Sequence, residues 1–238
     1  MDETSDIIQD KEPVQPAGAA ASTLRSVRFS DLLDLFTRPR VFFAANIDLG
    51  ESKFLIPVVW VLGISAQMDR VDTEIFRSEM GESRALWDLL EPLINGPWHW
   101  FWLFCLGLGM LSGAIIYWIG GWWYRVRLRF SGAPEETETA APRHVYCWSS
   151  LVVALPYVLL VIGYTVAYPS YAAAYHSGEL VSSVLPLLIF WSVVVSYVGA
   201  TTRFSLSGWK PRLWFLILPA LFYLVLIGAF VFLATLFT

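Results

Sequence analysis

Ser112 is the side chain that stands nearest to a catalytic pattern. It lies in Gly109-Met110-Leu111-Ser112-Gly113, which approaches a membrane-embedded G-x-S-G nucleophile arrangement, but Met110 occupies the place of its first glycine. A serine nucleophile also needs a base within hydrogen-bond reach. His99 and His176 fall near the ends of apolar runs and His144 between two of them, so none meets Ser112 in mid-run. The other hydroxyls of the apolar runs are Ser149, Ser150, Thr165, Ser192 and Ser196. Such groups ordinarily hydrogen-bond between packed helices. Cys105 and Cys147 have neither metal spacing nor a disulfide framework and read as small packed hydrophobes. His99 and His176 could approach each other, but they bring no carboxylate set for a metal. There is no H-E-x-x-H, P-loop or dinucleotide fingerprint. The expectation is therefore no catalytic, cofactor-binding or metal-ligating residue, and no enzyme.

The elements that carry these residues are apolar. The 238 residues are 56% hydrophobic and 15% charged, where a soluble domain carries about 25% charged residues. Mean hydropathy is +0.56, and the class is an all-α, multi-span membrane protein. The net charge of −4, with no basic domain, excludes nucleic acid as a partner.

Residues 1–23 are acidic, then rich in Ala and Pro, and read as a disordered cytoplasmic tail without a signal-peptide core. Residues 24–48 read as an amphipathic segment. Ser30 is a candidate cap, Leu32, Leu35 and Phe36 share a face, Pro39 ends one helix, and Val41-Phe42-Phe43 opens another patch. Arg25, Arg28, Arg38 and Arg40 flank it, as suits a helix in the interface of an anionic membrane. Packing against the spans from the cytoplasmic side is the equal alternative. Residues 49–238 form the membrane domain, with spans at about 54–68, 98–121, 147–167, 180–200 and 213–236. The first reaches only about 22 Å against a roughly 30 Å core. Asp69 to Gly96 reads as a polar loop with two short amphipathic helices broken near Gly81.

Gly109 and Gly113 form a G-x-x-x-G, a surface for close helix approach within the bundle. Trp118, Trp122 and Trp123, followed by Arg125, Arg127 and Arg129, mark an aromatic belt running into a basic loop. Tryptophan prefers the bilayer interface and arginine its cytoplasmic side. Lys11, Arg25, Arg28, Arg38, Arg40, Lys53, Arg125, Arg127, Arg129, Arg143, Arg203, Lys210 and Arg212 fall on one side, against Arg70, Arg77 and Arg84 on the other. That bias predicts a cytoplasmic N-terminus and an external C-terminus. No charge falls inside spans two to five, which argues against proton-coupled transport or voltage sensing.

Once the spans are placed, the chain resembles a bacterial member of the Yip (Ypt/Rab-interacting protein) domain family. Phe36-Thr37-Arg38-Pro39-Arg40-Val41-Phe42-Phe43 resembles its Pro-Arg segment before the spans, and Ile119-Gly120-Gly121 its Gly-Gly exit from span two. Ser149 to Pro156 resembles the start of its third span. Phe190-Trp191-Ser192, Gly199, Ser207 and Leu218-Pro219 resemble its last hairpin. The likeness covers about Ser30 to Thr238 and implies a five-helix membrane bundle in the bacterial cytoplasmic membrane with a non-enzymatic role. The family's Asp-Leu-Tyr-Gly-Pro signature is absent, so GTPase binding is not carried over. The resulting expectation is a scaffold in membrane organisation or trafficking-like processes. It would contact membrane lipids and another membrane or peripheral protein, with homo-oligomerisation left open. The alternative is a transport component that binds or moves a lipid or apolar solute. The motivation is Pro57, Pro156, Pro186 and Pro219 in the spans, with glycines that could open a helix-lined cavity.

Overall fold

The computed structural model describes residues 25–45, 47–82, 85–134, 139–177 and 181–236. The expected tail of residues 1–23 lies outside them. Most of the described residues are helical, and the strand pairing among them is two residues long, β1 (Arg25–Ser26) parallel to β2 (Ile47–Asp48). Two short helices come first, α1 (Phe29–Thr37) and α2 (Pro39–Ala44). The chain continues through α3 (Leu55–Glu79), α4 (Ala85–Asn95), α5 (Trp98–Phe130), α6 (Ala140–Ala167), α7 (Tyr171–Ser177) and α8 (Val181–Arg203). It closes with α9 (Trp209–Arg212), a π-helical turn at Leu213–Ile217 and α10 (Leu218–Leu236).

Four helical stretches are long and apolar enough to cross a membrane: Trp98–Phe130, Ala140–Ala167, Leu185–Arg203 and Trp209–Ala229. Consecutive long helices run antiparallel, because Gly63 and Val59 of α3 meet Gly109 and Gly113 of α5, while Gly121 of α5 meets Arg143 of α6. One end of the bundle therefore collects the basic connections and the other the acidic ones. α6 is the axis: 56% of its apolar window is buried, against 6% for Trp209–Ala229 at the rim. Around α6 lie two cores. At the basic end Leu35, Phe42, Phe43, Tyr124, Trp148 and Phe215 pack together. At the acidic end Met68, Ile75, Leu90, Ile94, Phe101 and Tyr171 do so.

The helices outrun the apolar segments that mark them. α3 does not stop at Met68 but continues to Glu79, taking up the first half of the expected loop. Val71 and Ile75 stay buried on its inner face while Asp69, Arg70 and Thr73 face outward, so amphipathic periodicity carries the helix on. It ends at Met80-Gly81, where Gly81 has φ +81, the left-handed turn that glycine adopts without a Cβ penalty. α5 likewise passes Gly121 and runs to Phe130, so Arg125, Arg127 and Arg129 stand on a helix and not on a loop. α6 begins at Ala140, two turns before the predicted Cys147.

Ser30 is not the cap of α1. The helix starts at Phe29, and the Arg28 N–H donates to Asp31 Oδ2 at 2.7 Å. Of the two placements for this region, the structure packs it on the helices: Leu35, Phe42 and Phe43 are fully buried, and Trp191 Nε1 of α8 donates to the Phe36 carbonyl at 3.0 Å. Phe29 and Leu33 remain exposed on the opposite face.

Candidate functional site

A helix turns about 100° per residue, so three arginines at alternate positions point in three directions. Arg129 faces outward, while Arg127 turns into the bundle. Its guanidinium lies 4.2 Å from the Phe215 ring centre and 5.8 Å from that of Tyr124. Its Nε donates to the Trp214 carbonyl at 3.0 Å. That carbonyl is available for a local reason. In the π-helical turn the N–H of Leu218 bonds to the carbonyl of Leu213, five residues back. The next such bond would run from residue 219 to Trp214, but residue 219 is proline and has no N–H. Arg127 takes its place.

Arg127 borders a cavity of about 90 Å³ between α5, α6, α8 and the last helix, shared with Tyr146, Ser149, Ser150, Ser192 and Ser196. Four of the six hydroxyls singled out from the sequence thus converge on one site. Ser149 donates to the Tyr146 carbonyl at 2.9 Å and Ser192 to that of Ile189 at 2.7 Å. The Tyr124 hydroxyl donates to the Ser196 carbonyl at 2.9 Å. The remaining two hydroxyls lie elsewhere: Gln67 Nε2 donates to Ser112 Oγ, and Trp102 Nε1 donates to Thr165 Oγ1 at 3.0 Å.

Trp118, Trp122 and Trp123 project outward from α5 and are about half exposed. The Arg143 guanidinium covers Trp118, 3.8 Å from the ring centre. Gly109 and Gly113 are buried against α3. Their partner there is Gly63, which the sequence pattern did not single out.

A second polar cluster sits toward the acidic end. Asp72, expected on a solvated loop, turns inward from α3. Both Tyr157 of α6 and Tyr171 of α7 donate their hydroxyls to it, the latter at 2.6 Å. Phe101 stacks on Tyr171 with ring centres 4.1 Å apart. Only the (i, i+3) spacing of Asp72 with Ile75, and of Met68 with Val71, marks this residue as inward-facing in the sequence.

The third cluster lies at the basic end, where Asp48, Glu51, His144 and Arg203 border a pocket of about 280 Å³. The Asp48 carboxylate accepts the Gly50 and Glu51 N–H groups at 2.8 and 3.0 Å. The Glu51 bond is the chief cause holding it below its ordinary value, and burial opposes it. His99 lies against Trp100, and His176 Nδ1 pairs with Glu79 at 3.3 Å, so each histidine is engaged on its own side. Among the described residues no three His, Cys, Asp or Glu side chains gather as metal ligands.

These features define an all-α protein with four helices able to span a membrane, as in an integral membrane protein. No family model, curated protein or solved structure gives a significant match to the chain.

Proposed function

We propose that the chain is a five-span, non-enzymatic protein of the bacterial cytoplasmic membrane that works as a scaffold by docking a partner, in keeping with its Yip-domain resemblance. α3 supplies the fifth span: its 25 residues reach about 37 Å, of which the uncharged part up to Met68 covers about 21 Å, and Asp69 and Arg70 stand toward the outer interface. The N-terminus is cytoplasmic and the C-terminus external, and the exposed faces of α1 and α5 meet lipid.

The observation that carries the docking role is the position of α10. Helix association in lipid rests on close packing, because the tails are as apolar as leucine. Leu221, Phe222, Leu224 and Val225 all stand exposed on this one helix, each more than half accessible. A span held so loosely by its own bundle, with 6% of its apolar window buried against 17% for α5, has packing surface left for another protein. Single cysteines at Leu221, Leu224 or Val225 should crosslink in native membranes to a defined partner, either a second protein or a second copy. The yield should be several-fold above that from equally exposed Leu103 or Leu111 of α5. Equal, diffuse labelling at both helices would sink the docking role.

The orientation has its own test. Replacing Arg125, Arg127 and Arg129 together with Glu removes three of the basic anchors and should weaken or invert the insertion of α5 and α6, read by cysteine-accessibility labelling. Unchanged labelling would assign the topology to the other basic residues alone.

A further inference from the structure

We propose that the cavity beside Arg127 is a binding site for a phosphate-class oxyanion, delivered either as the headgroup of an anionic phospholipid or as free inorganic phosphate. The charge balance is the first argument. Arg127 has no ion-pair partner among the described residues, and Nε is the one nitrogen committed to a protein acceptor, the Trp214 carbonyl. Phe215 and Tyr124 lie against the guanidinium and keep it in place without neutralising it. An arginine turned into a helix pack and not out to water gives up hydration that an anion on its free nitrogens would replace.

The second argument is the lining. Ser149, Ser150, Ser192 and Ser196 face the same space as Arg127 from two other helices. The hydroxyl rotors of Ser149 and Ser192 now point at their own helix carbonyls, and each can turn to donate to an incoming oxygen. Two terminal guanidinium nitrogens and several hydroxyls around about 90 Å³ suit a small tetrahedral anion with several acceptor oxygens. The volume does not admit a large solute, which separates this site from a general transport path.

The third argument is depth. Ser149 and Ser150 lie nine and ten residues into α6, which is about 14–15 Å from its start. Arg127 is three residues from the end of α5. The site therefore begins at the basic end and reaches inward, the depth at which a headgroup drawn between helices would sit. The proline at 219 and the π-helical turn build the same place, since they free the carbonyl that fixes the guanidinium. A π-turn inside a helix is itself frequent at functional sites.

The test uses the full-length protein in detergent and in nanodiscs, read by thermal denaturation and by native mass spectrometry of retained lipid. Arg127→Gln removes the charge but also uncaps Trp214 and can impair folding. Ser192→Ala with Ser196→Ala keeps the helix and removes two donors. Stabilisation by phosphatidylglycerol over phosphatidylcholine, with at least tenfold weaker binding in the double serine variant, identifies the lipid headgroup. Stabilisation by millimolar inorganic phosphate alone, weakened equally by the serine variant, identifies the free anion. No response to either, or the same response in the serine variant as in the native protein, overturns the site. The α10 crosslinks are independent: either proposal can fail while the other stands.

Discussion

Gly63→Val should be among the most damaging single substitutions in this chain. A Cβ on Gly63 would lie 1.8 Å from the Gly109 carbonyl oxygen and 2.5 Å from the Gly113 nitrogen. Both are backbone atoms of a helix, so neither can swing aside as a side chain does. The two helices must separate along their whole seam, which also holds the Trp60 Nε1 bond to the Leu106 carbonyl at 2.9 Å and the Gln67–Ser112 bond. Overpacking typically costs about 1–3 kcal/mol, and a backbone collision belongs at or above that upper end. For a chain of this size the melting temperature in detergent should fall by about 6–12 °C, taking roughly 2–4 °C per kcal/mol. Gly107→Ala is the control, since a Cβ there meets nothing within 4 Å. It should be neutral or slightly stabilising, as alanine favours helix over glycine by about 1 kcal/mol. A Gly63→Val protein melting within 2 °C of the native one would show that the α3–α5 seam is not a rigid contact.

The all-helical character and the four most apolar helices could be read directly from runs of hydrophobic residues. Helix ends could not, because hydropathy reports where the environment of the chain changes, not where its hydrogen-bond ladder stops. Arg125, Arg127 and Arg129 look like a loop when membrane and helix are treated as one boundary. Asp69 to Gly96 reads as a polar loop with two short helices of its own for the same reason; the first of them is the continuation of α3, whose inner stripe Val71 and Ile75 extend, and the break falls at Gly81 as the spacing predicts. Gly109 and Gly113 announce a close contact, but the sequence holds nothing about which helix supplies the other half. Gly63 stands alone in its own segment and carries no motif.

The polar sites were less visible still. Ser149, Ser150, Ser192 and Ser196 come from two segments, and their convergence depends on the rotation of α6 and α8 about their axes, which no linear pattern fixes. Arg127 differs from Arg125 and Arg129 only by which way the helix faces. The local clue is partial: Pro219 must leave an upstream carbonyl without its donor, but in a regular helix that carbonyl is Phe215's, and only the π-helical turn moves it to Trp214. Asp72 gave no comparable clue. Its partners Tyr157 and Tyr171 lie 85 and 99 residues away in the chain.

Asp72→Leu should be the second damaging substitution, because Asp72 is where the acidic ends of several helices are tied together. Tyr157 of α6 and Tyr171 of α7 both donate their hydroxyls to its carboxyl group, the latter at 2.6 Å. Tyr171 also stacks on Phe101 of α5 with ring centres 4.1 Å apart, so one carboxyl on α3 fixes side chains that reach three other helices. Both tyrosines are buried. Leucine offers them no acceptor, and their hydroxyls would keep only the 3.4 Å contact with each other. A buried polar group left without its partner costs about 1–3 kcal/mol. At roughly 2–4 °C per kcal/mol the melting temperature in detergent should fall by about 4–8 °C. Asp72→Asn is the control, since its amide oxygen still accepts from both hydroxyls, and it should lose less than half as much. Tyr171→Phe keeps the stack on Phe101 and removes one donor, so its loss should lie between the two. If Asp72→Leu and Asp72→Asn melt alike, the tyrosine hydrogen bonds do not hold the acidic end together.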